Sequence, residues 1–189
     1  YEYMERAKKR LMTVVPVTVI VIVLLLFINF RNLADVLIIL GTLPMAMVGS
    51  LWLLYLLGYN LSVAVGVGMV ALAGVAIELG VVMLLYLKIY MNESLQDINN
   101  QGYKVTQTGI KQAVMHGALR RLRPIIMTVA TIFAGLLPVM LGGGTGSEVM
   151  RRIAAPMVGG MLSATVLALL VIPAVFLLRY RPKAGHDAT

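Results

Sequence analysis

The sequence predicts an all-α membrane protein with five transmembrane helices and one amphipathic helix on the cytoplasmic surface. Hydrophobic residues make up 60% of the 189-residue chain, charged residues make up 13%, and the mean hydropathy is +0.91. Soluble domains are about 45–50% apolar and about 25% charged, so this composition indicates a membrane protein. Many of the apolar runs are rich in Val and Ile, but a lone strand would leave its backbone unpaired in lipid. We therefore expect these runs to be helices.

Five apolar runs are long enough to cross a bilayer, which takes about 20 residues of helix. They form one predicted transmembrane domain, residues 11–180, with spans at 11–30, 36–59, 61–87, 124–141 and 153–178. An amphipathic lead-in at 1–10 precedes it and a cytoplasmic tail at 181–189 follows it. The chain begins at Tyr1 without a basic and then apolar leader, so we expect no signal peptide and a piece of a longer protein.

The polar connection at 91–123 divides into a predicted loop and a predicted helix. Residues 92–102 end in an Asn-Asn-Gln-Gly cluster, which is typical of a break in structure. From about Val105 the apolar residues recur at helical spacing, with polar residues away from them. The apolar face is formed by Ile110, Ala113, Val114, Gly117 and Ala118. This pattern predicts a helix that lies on the membrane surface and leads into the fourth span.

The charged connections predict the orientation of the chain. Five spans place the two termini on opposite sides of the membrane. Ten of the 16 Lys and Arg residues fall on the side that holds Arg31, the 91–123 connection with the adjacent Lys88, and the tail. The positive-inside rule therefore predicts that this side, with the C-terminus, is cytoplasmic.

Glu78 is the one ionisable residue inside the third span, and it lies near the middle of that span. A charged side chain at the bilayer centre costs roughly 2.5–3.5 kcal/mol on insertion scales, so such a residue indicates an ion or proton path. Ala71 and Gly74 lie on the same helical face and would let a neighbouring helix approach, so we expect Glu78 to face protein. The alternative is a structural carboxyl group bonded to a neighbouring helix.

Small residues also recur in the fifth span. They form two adjacent stripes at intervals of four residues: Ala155, Gly159 and Ser163, and Gly160, Ala164 and Ala168. Such stripes let helix backbones come close together. The fifth span is therefore predicted to pack tightly between other helices.

Several functional classes are excluded or disfavoured by the residues present. The chain has no cysteine, so disulfides, zinc–thiolate sites and thiol redox chemistry are excluded. The net charge of +8 comes from basic residues that flank apolar spans, which is the pattern of topology signals rather than of a nucleic-acid groove. No catalytic triad, phosphate-binding loop or paired carboxylate site is present, so we expect neither an enzyme nor a bound cofactor.

Methionines are numerous, 13 in all, and thioether sulfur is a soft ligand that suits Cu(I) and Ag(I). Methionine also fills irregular apolar gaps, and for the residues within the spans packing is the favoured interpretation. Met150 differs because it lies in a polar turn at the outer membrane face, where packing explains it less well. The residues alone leave ligation and packing equally open for Met150.

Several motifs together resemble one family, the resistance–nodulation–division (RND) efflux pumps. They are LAGVAIELGVVM at 72–83, RLRP at 121–124 with MTV at 127–129, AGLLP at 134–138, GSEVM at 146–150 and IAAPMVGG at 153–160. The similarity runs over nearly the whole chain. A glutamate at position 78 together with GSEVM resembles the copper/silver branch, since the cobalt/zinc/cadmium branch usually has an uncharged residue in place of this glutamate.

The resemblance implies that the chain is the C-terminal membrane half of a twelve-helix transporter, helices eight to twelve. Such pumps are homotrimers in the inner membrane of Gram-negative bacteria. They couple inward proton flow to export of the substrate, here Cu(I) or Ag(I). Export proceeds through a periplasmic adaptor protein and an outer-membrane channel.

The resemblance also implies roles for individual residues. Glu78 matches the proton-relay carboxylate of the copper/silver pumps, and Arg121 and Thr128 match positions linked to the proton path in drug-exporting relatives. Met150 matches a methionine of the metal path. One departure stands out, because Ile125 occupies the position where copper/silver pumps carry a lysine.

The sequence leaves two alternative functions open. The chain could belong to an RND exporter of drugs or of other metals, although a glutamate where the drug pumps carry a lysine argues against a drug pump. It could also be a non-transporting membrane anchor or assembly fragment, for which Glu78→Gln would have no cost.

Overall fold

A computed structural model describes residues 2–100, 107–144 and 146–179 of the chain, and these residues form five α-helices. The helices are α1 (Glu2–Phe30), α2 (Leu33–Leu56), α3 (Val63–Asn100), α4 (Gln107–Leu141) and α5 (Ser147–Arg179). All five are long and apolar enough to cross a membrane. The predicted all-α class and the number of spans are therefore confirmed for the described part of the chain. The predicted tail at 181–189 lies outside it.

The helix α5 is at the centre of the bundle and contacts α2, α3 and α4, whereas α1 packs mainly along α2. Small residues allow these close approaches. Gly159 lies against Gly49 and Leu53 of α2, where an added Cβ would come within 2.7 Å of the Gly49 carbonyl oxygen. Gly160 on the adjacent stripe lies against Leu72 of α3. The predicted tight packing of the fifth span is therefore confirmed.

The predicted loop at 92–102 is wrong over the described residues, because α3 continues without interruption to Asn100. Met91 is 4% exposed and belongs to the hydrophobic core, and Leu95 packs partly against that core one turn later. These apolar contacts stabilise helical turns that the local Asn-rich composition disfavours, since tertiary packing overrides propensity. The remainder of the predicted loop, residues 101–106, lies outside the described residues.

The predicted surface helix is not a separate element. It is the first half of α4, which passes through Pro124 into the fourth span without a break. Its predicted apolar face is correct, since Ile110, Ala113, Val114 and Gly117 are buried. However, this face packs against the end of α3 instead of lipid, and a Cβ on Gly117 would lie 3.2 Å from the Tyr90 ring.

Candidate functional site

Glu78 lies on α3, on a side of the helix that the other described residues leave exposed. Gly74, one turn earlier on the same stripe, has no atom within 4 Å of where a Cβ would be. Within the described residues, no neighbouring helix therefore approaches α3 at Gly74. The expectation that Glu78 faces protein stays a prediction.

The three residues that the resemblance assigns to a proton relay meet at one place. Glu78 of α3 lines a small cavity together with Arg121 and Thr128 of α4. The cavity has a volume of about 30 Å³, which is enough for a water molecule. Antiparallel packing of α3 and α4 produces this meeting, because the first half of α4 follows the second half of α3.

Neighbouring groups hold the two α4 side chains in position. The Arg121 guanidinium lies over the Tyr86 ring of α3, 4.5 Å from its centroid, as in a cation–π pair. The Arg121 Nε is buried and has no hydrogen-bond partner among the described residues. Thr128 Oγ1 donates to the Pro124 carbonyl oxygen at 3.1 Å, one turn back along the helix.

Ile125 borders the same cavity and is 3% exposed. It packs within the main hydrophobic core, so this position supplies no charge to the cavity. Arg121 is instead the basic side chain that lines the cavity beside Glu78. Of the two basic side chains that the resemblance implies here, Arg121 is therefore present beside the cavity and the lysine at position 125 is absent.

Met150 is not part of this cavity. It lies in the first turn of α5, is 57% exposed, and is followed by two arginines. Arg151 donates through Nε to the Gly142 carbonyl oxygen at 3.0 Å, and Arg152 lies over the Tyr59 ring at 5.8 Å. These contacts fix the turn between α4 and α5 and leave the thioether outside the core of the described residues, and the metal-path role of Met150 stays a prediction.

A buried charged cluster was not predicted from the sequence, where Lys88 served only as a topology signal. Asp35, in the first turn of α2, is completely buried and forms ion pairs with Lys88 of α3 and Arg179 of α5. Lys88 Nζ lies in ion-pair contact with Asp35 Oδ2 but does not form a hydrogen bond to it. Arg179 donates a hydrogen bond through Nη1 to Asp35 Oδ1. The Phe30 ring lies 5.2 Å from Lys88 Nζ. The only available signal was a carboxylate directly before an apolar run.

The Asp35 cluster also shows how the helices are arranged. It joins the start of α2, the later part of α3 and the end of α5, so these three places lie at one end of the bundle. This matches the prediction that the start of the second span, Lys88 and the end of the fifth span lie on one side, whereas the tail lies outside the described residues. Burial of a carboxylate with two cations is tolerable because the opposite charges compensate for lost solvation.

The fold and the site together define a polytopic α-helical membrane protein with an ionisable pair facing a small cavity between two spans. Residues 1–179 match the AcrB/AcrD/AcrF family, which is a transporter family. The chain belongs to this family.

Its relatives include proteins named for metal-cation efflux. The chain is 48% identical over 180 residues to the cation efflux system protein CusA of Escherichia coli K12, which is 95% of this chain and 17% of that protein. It is 49% identical over 176 residues to the putative cation efflux system protein SilA of Salmonella typhimurium, 93% of this chain and 17% of that protein. It is 36% identical to the cobalt-zinc-cadmium resistance protein CzcA of Cupriavidus metallidurans. This alignment of 189 residues covers all of this chain and 17% of that protein.

A solved structure supports the same assignment. The crystal structure of a heavy metal efflux pump superposes with a TM-score of 0.76 at 35% identity, covering 94% of this chain and 16% of that chain. The chain therefore spans about a sixth of the length of the relatives that it matches.

Proposed function

We propose that the chain is the C-terminal transmembrane segment of a proton-driven RND efflux pump that exports heavy-metal cations, with Glu78 in the proton relay. The observation that carries the proposal is the cavity between α3 and α4, which Glu78, Arg121 and Thr128 line together. These residues are far apart in the sequence and are the ones that the resemblance assigns to proton movement. An intramembrane carboxylate beside a cation is a typical element of a proton path.

In the proposed relay, Glu78 takes up a proton on one side of the membrane and releases it on the other. Arg121 stabilises the ionised carboxylate, and its contact with Tyr86 limits how far its guanidinium moves. Thr128 has an exposed hydroxyl beside the cavity; its hydrogen is donated to the Pro124 carbonyl, so its oxygen is oriented to accept a hydrogen bond from the protonated carboxyl group or from water in the cavity. Arg121 then supplies the positive charge that copper/silver pumps place at position 125.

We propose Cu(I) or Ag(I) as the exported cation. Two observations support this. Met150 exposes a thioether outside the core, and thioethers select soft monovalent metals. The identity of 48% to CusA and 49% to SilA also exceeds the 36% to a cobalt-zinc-cadmium resistance protein. An exporter of other metals in the same family is the alternative.

The proposal includes partners and a location. The remainder of the pump polypeptide supplies the helices that face Glu78, and the pump acts as a homotrimer in the inner membrane of a Gram-negative bacterium. A periplasmic adaptor protein and an outer-membrane channel complete the export route. Membership of the AcrB/AcrD/AcrF family supports these assignments.

A growth assay tests the proposed function. The full-length gene product that includes this chain is expressed in a host that lacks its own Cu(I) and Ag(I) exporters. We expect Glu78→Gln to abolish resistance to both metals at normal expression, because a neutral amide cannot carry a proton. Glu93→Gln is the matched control, since Glu93 is an exposed carboxyl group on the same helix.

Two results would contradict the proposal. Full resistance in the Glu78→Gln variant would show that this carboxyl group is dispensable, as a membrane anchor predicts. Wild-type resistance to Co(II), Zn(II) or Cd(II) without resistance to Cu(I) or Ag(I) would reject the proposed substrate.

A further inference from the structure

Two neighbouring cavities lie on the first half of α4, away from Glu78. The larger one, about 390 Å³, lies between α3 and α4 and has polar and basic groups in its lining. Tyr90, Ser94, Gln112, His116 and Arg120 supply these groups.

The second cavity, about 240 Å³, lies beside the first and shares Gln112 and His116 with it. The rest of its lining is Lys111, Met115 and Leu119, and its surface is almost entirely apolar. A cavity with polar and basic side chains therefore lies directly beside an apolar cavity.

Arg120 is held in place within the polar cavity. Its Nη1 donates to the Tyr90 hydroxyl at 3.1 Å, and its guanidinium lies 5.5 Å from the Tyr90 ring centroid. Because an arginine has five N–H donors, the other donors stay available to a ligand in the cavity. A planar guanidinium fixed in this way suits the oxygens of a phosphate group.

The charges around the cavity favour an anion. Lys88 pairs with Asp35 and Arg121 lies beside Glu78, so the other described charges of residues 88–96 and 109–123 decide the balance: three basic residues, Lys111, Arg120 and Arg123, and one acid, Glu93. His116, which borders both cavities, adds a further hydrogen-bond donor. The local field is therefore positive.

The depth of the cavity corresponds to the headgroup layer of a bilayer. The helix α3 begins beside Tyr59, and aromatic residues of this kind are common at a membrane interface. From Val63 to Tyr90 the helix rises about 40 Å at about 1.5 Å per residue. A bilayer with its headgroups is about 40–45 Å thick, so Tyr90 and Arg120 lie at the opposite headgroup layer.

An exposed apolar stripe leads from the cavities towards the spanning part of α4. Met115, Leu119, Leu122 and Ile126 follow one another at helical spacing and are 39–62% exposed. Met115 and Leu119 form the wall of the apolar cavity, so the stripe continues directly from it. Its length and direction suit a fatty acyl chain.

We propose that this site binds an anionic phospholipid, with the phosphodiester on Arg120 and His116 and an acyl chain along Met115 and Leu119. The site is separate from the Glu78 cavity and does not depend on the proposed transport function. Basic pockets between transmembrane helices on the cytoplasmic side suit anionic headgroups. The phosphate group accounts for the polar groups of the first cavity, and the acyl chain accounts for the apolar lining of the second.

Native mass spectrometry of the full-length gene product in detergent tests this proposal, with dioleoylphosphatidylglycerol and dioleoylphosphatidylcholine as probes. We expect the wild-type protein to bind the anionic lipid more tightly. Arg120→Gln should weaken that binding by about tenfold, the effect of losing a charge-assisted hydrogen bond. The matched control is Arg123→Gln, which removes the same charge one turn along α4 outside both cavities and should change binding by less than about twofold.

A second variant tests the apolar half of the site without disturbing the core. Met115→Ser changes an exposed side chain. It should weaken binding of dioleoylphosphatidylglycerol but not of a phosphatidylglycerol whose acyl chains have six carbons. Equal binding of the anionic lipid by wild type and Arg120→Gln would overturn the proposal. Displacement of the lipid by millimolar inorganic phosphate would also overturn it, because the site would then recognise phosphate alone.

Discussion

Asp35 is fully enclosed where α2 begins, and it holds two cations from helices that are distant in sequence. Lys88 and Arg179 keep side-chain exposures of 26% and 29%, so they retain some contact with the interface while the carboxylate has none. The cluster therefore acts as a clamp between α2, α3 and α5, in which each charge depends on the others.

Removal of the Asp35 carboxylate should destabilise the protein. Asp35→Asn leaves Lys88 and Arg179 close together without a counter-charge, and breaking a buried ion pair costs about 3–5 kcal/mol. We expect the lower end of this range, since both cations can turn towards the interface. Thermal denaturation of the purified protein measures the loss, with exposed Glu93→Gln as the control.

A double-mutant cycle tests whether the loss of stability comes from the ion pair between Asp35 and Lys88. In an Asp35→Leu background, Lys88→Met should cost much less than it does alone, because its partner is already absent. Additive losses would show that the two residues act independently and would reject the clamp.

A site residue could be predicted from the sequence only where it is a charged residue within an apolar run. Glu78 stands out because it interrupts a long apolar run, and that signal is local. Its meeting with Arg121 and Thr128 depends on how α3 packs against α4, so only the resemblance indicated it. Asp35 carried no comparable signal, because a carboxylate at the start of a helix is common and its partners are distant.

At the scale of the helices, close packing of α5 depends on positions that have no side chain. An added Cβ on Gly68 of α3 would lie 2.2 Å from the Ile153 carbonyl oxygen of α5. A backbone atom cannot turn aside as a flexible side chain can. The contact between α3 and α5 therefore requires glycine at this position.

Gly68→Ala should separate α3 from α5 and cost about 1–3 kcal/mol, the range for overpacking a tight site. Gly66→Ala is the matched control on the same helix, because nothing lies within 4 Å of its Cβ position. The denaturation midpoint of each purified variant gives the comparison. Equal denaturation midpoints for Gly68→Ala and Gly66→Ala would show that α3 and α5 can accommodate a methyl group at Gly68, and would contradict this prediction.

The number of helices was predictable because lipid leaves few alternatives to a helix for an apolar run. The C-terminal end of α3 and the start of α4 were not predictable from the sequence. Outside the hydrocarbon region, composition suggested a loop and a surface helix, whereas burial of Met91 and Gly117 joins the two helices into a hairpin. Such contacts form between elements and are not visible in the pattern of either one.

At the scale of the whole molecule, the described helices pack well around α5 but leave the Glu78 side of α3 open. The chain spans 17% of the length of the relatives described above, so most of each relative has no counterpart here. We expect the remainder of the pump to cover Glu78 and to complete the proton path. In the proposed relay, Glu78 and Arg121 are the part that α3 and α4 contribute.

Proton flux in proteoliposomes that contain the full-length gene product tests the relay most directly. A pH-sensitive dye inside the vesicles reports proton movement under an imposed pH gradient when Ag(I) or Cu(I) is added. The account predicts metal-dependent flux in the wild type and in Glu93→Gln, and flux at the leak level in Glu78→Gln. Undiminished metal-dependent flux in Glu78→Gln would contradict it.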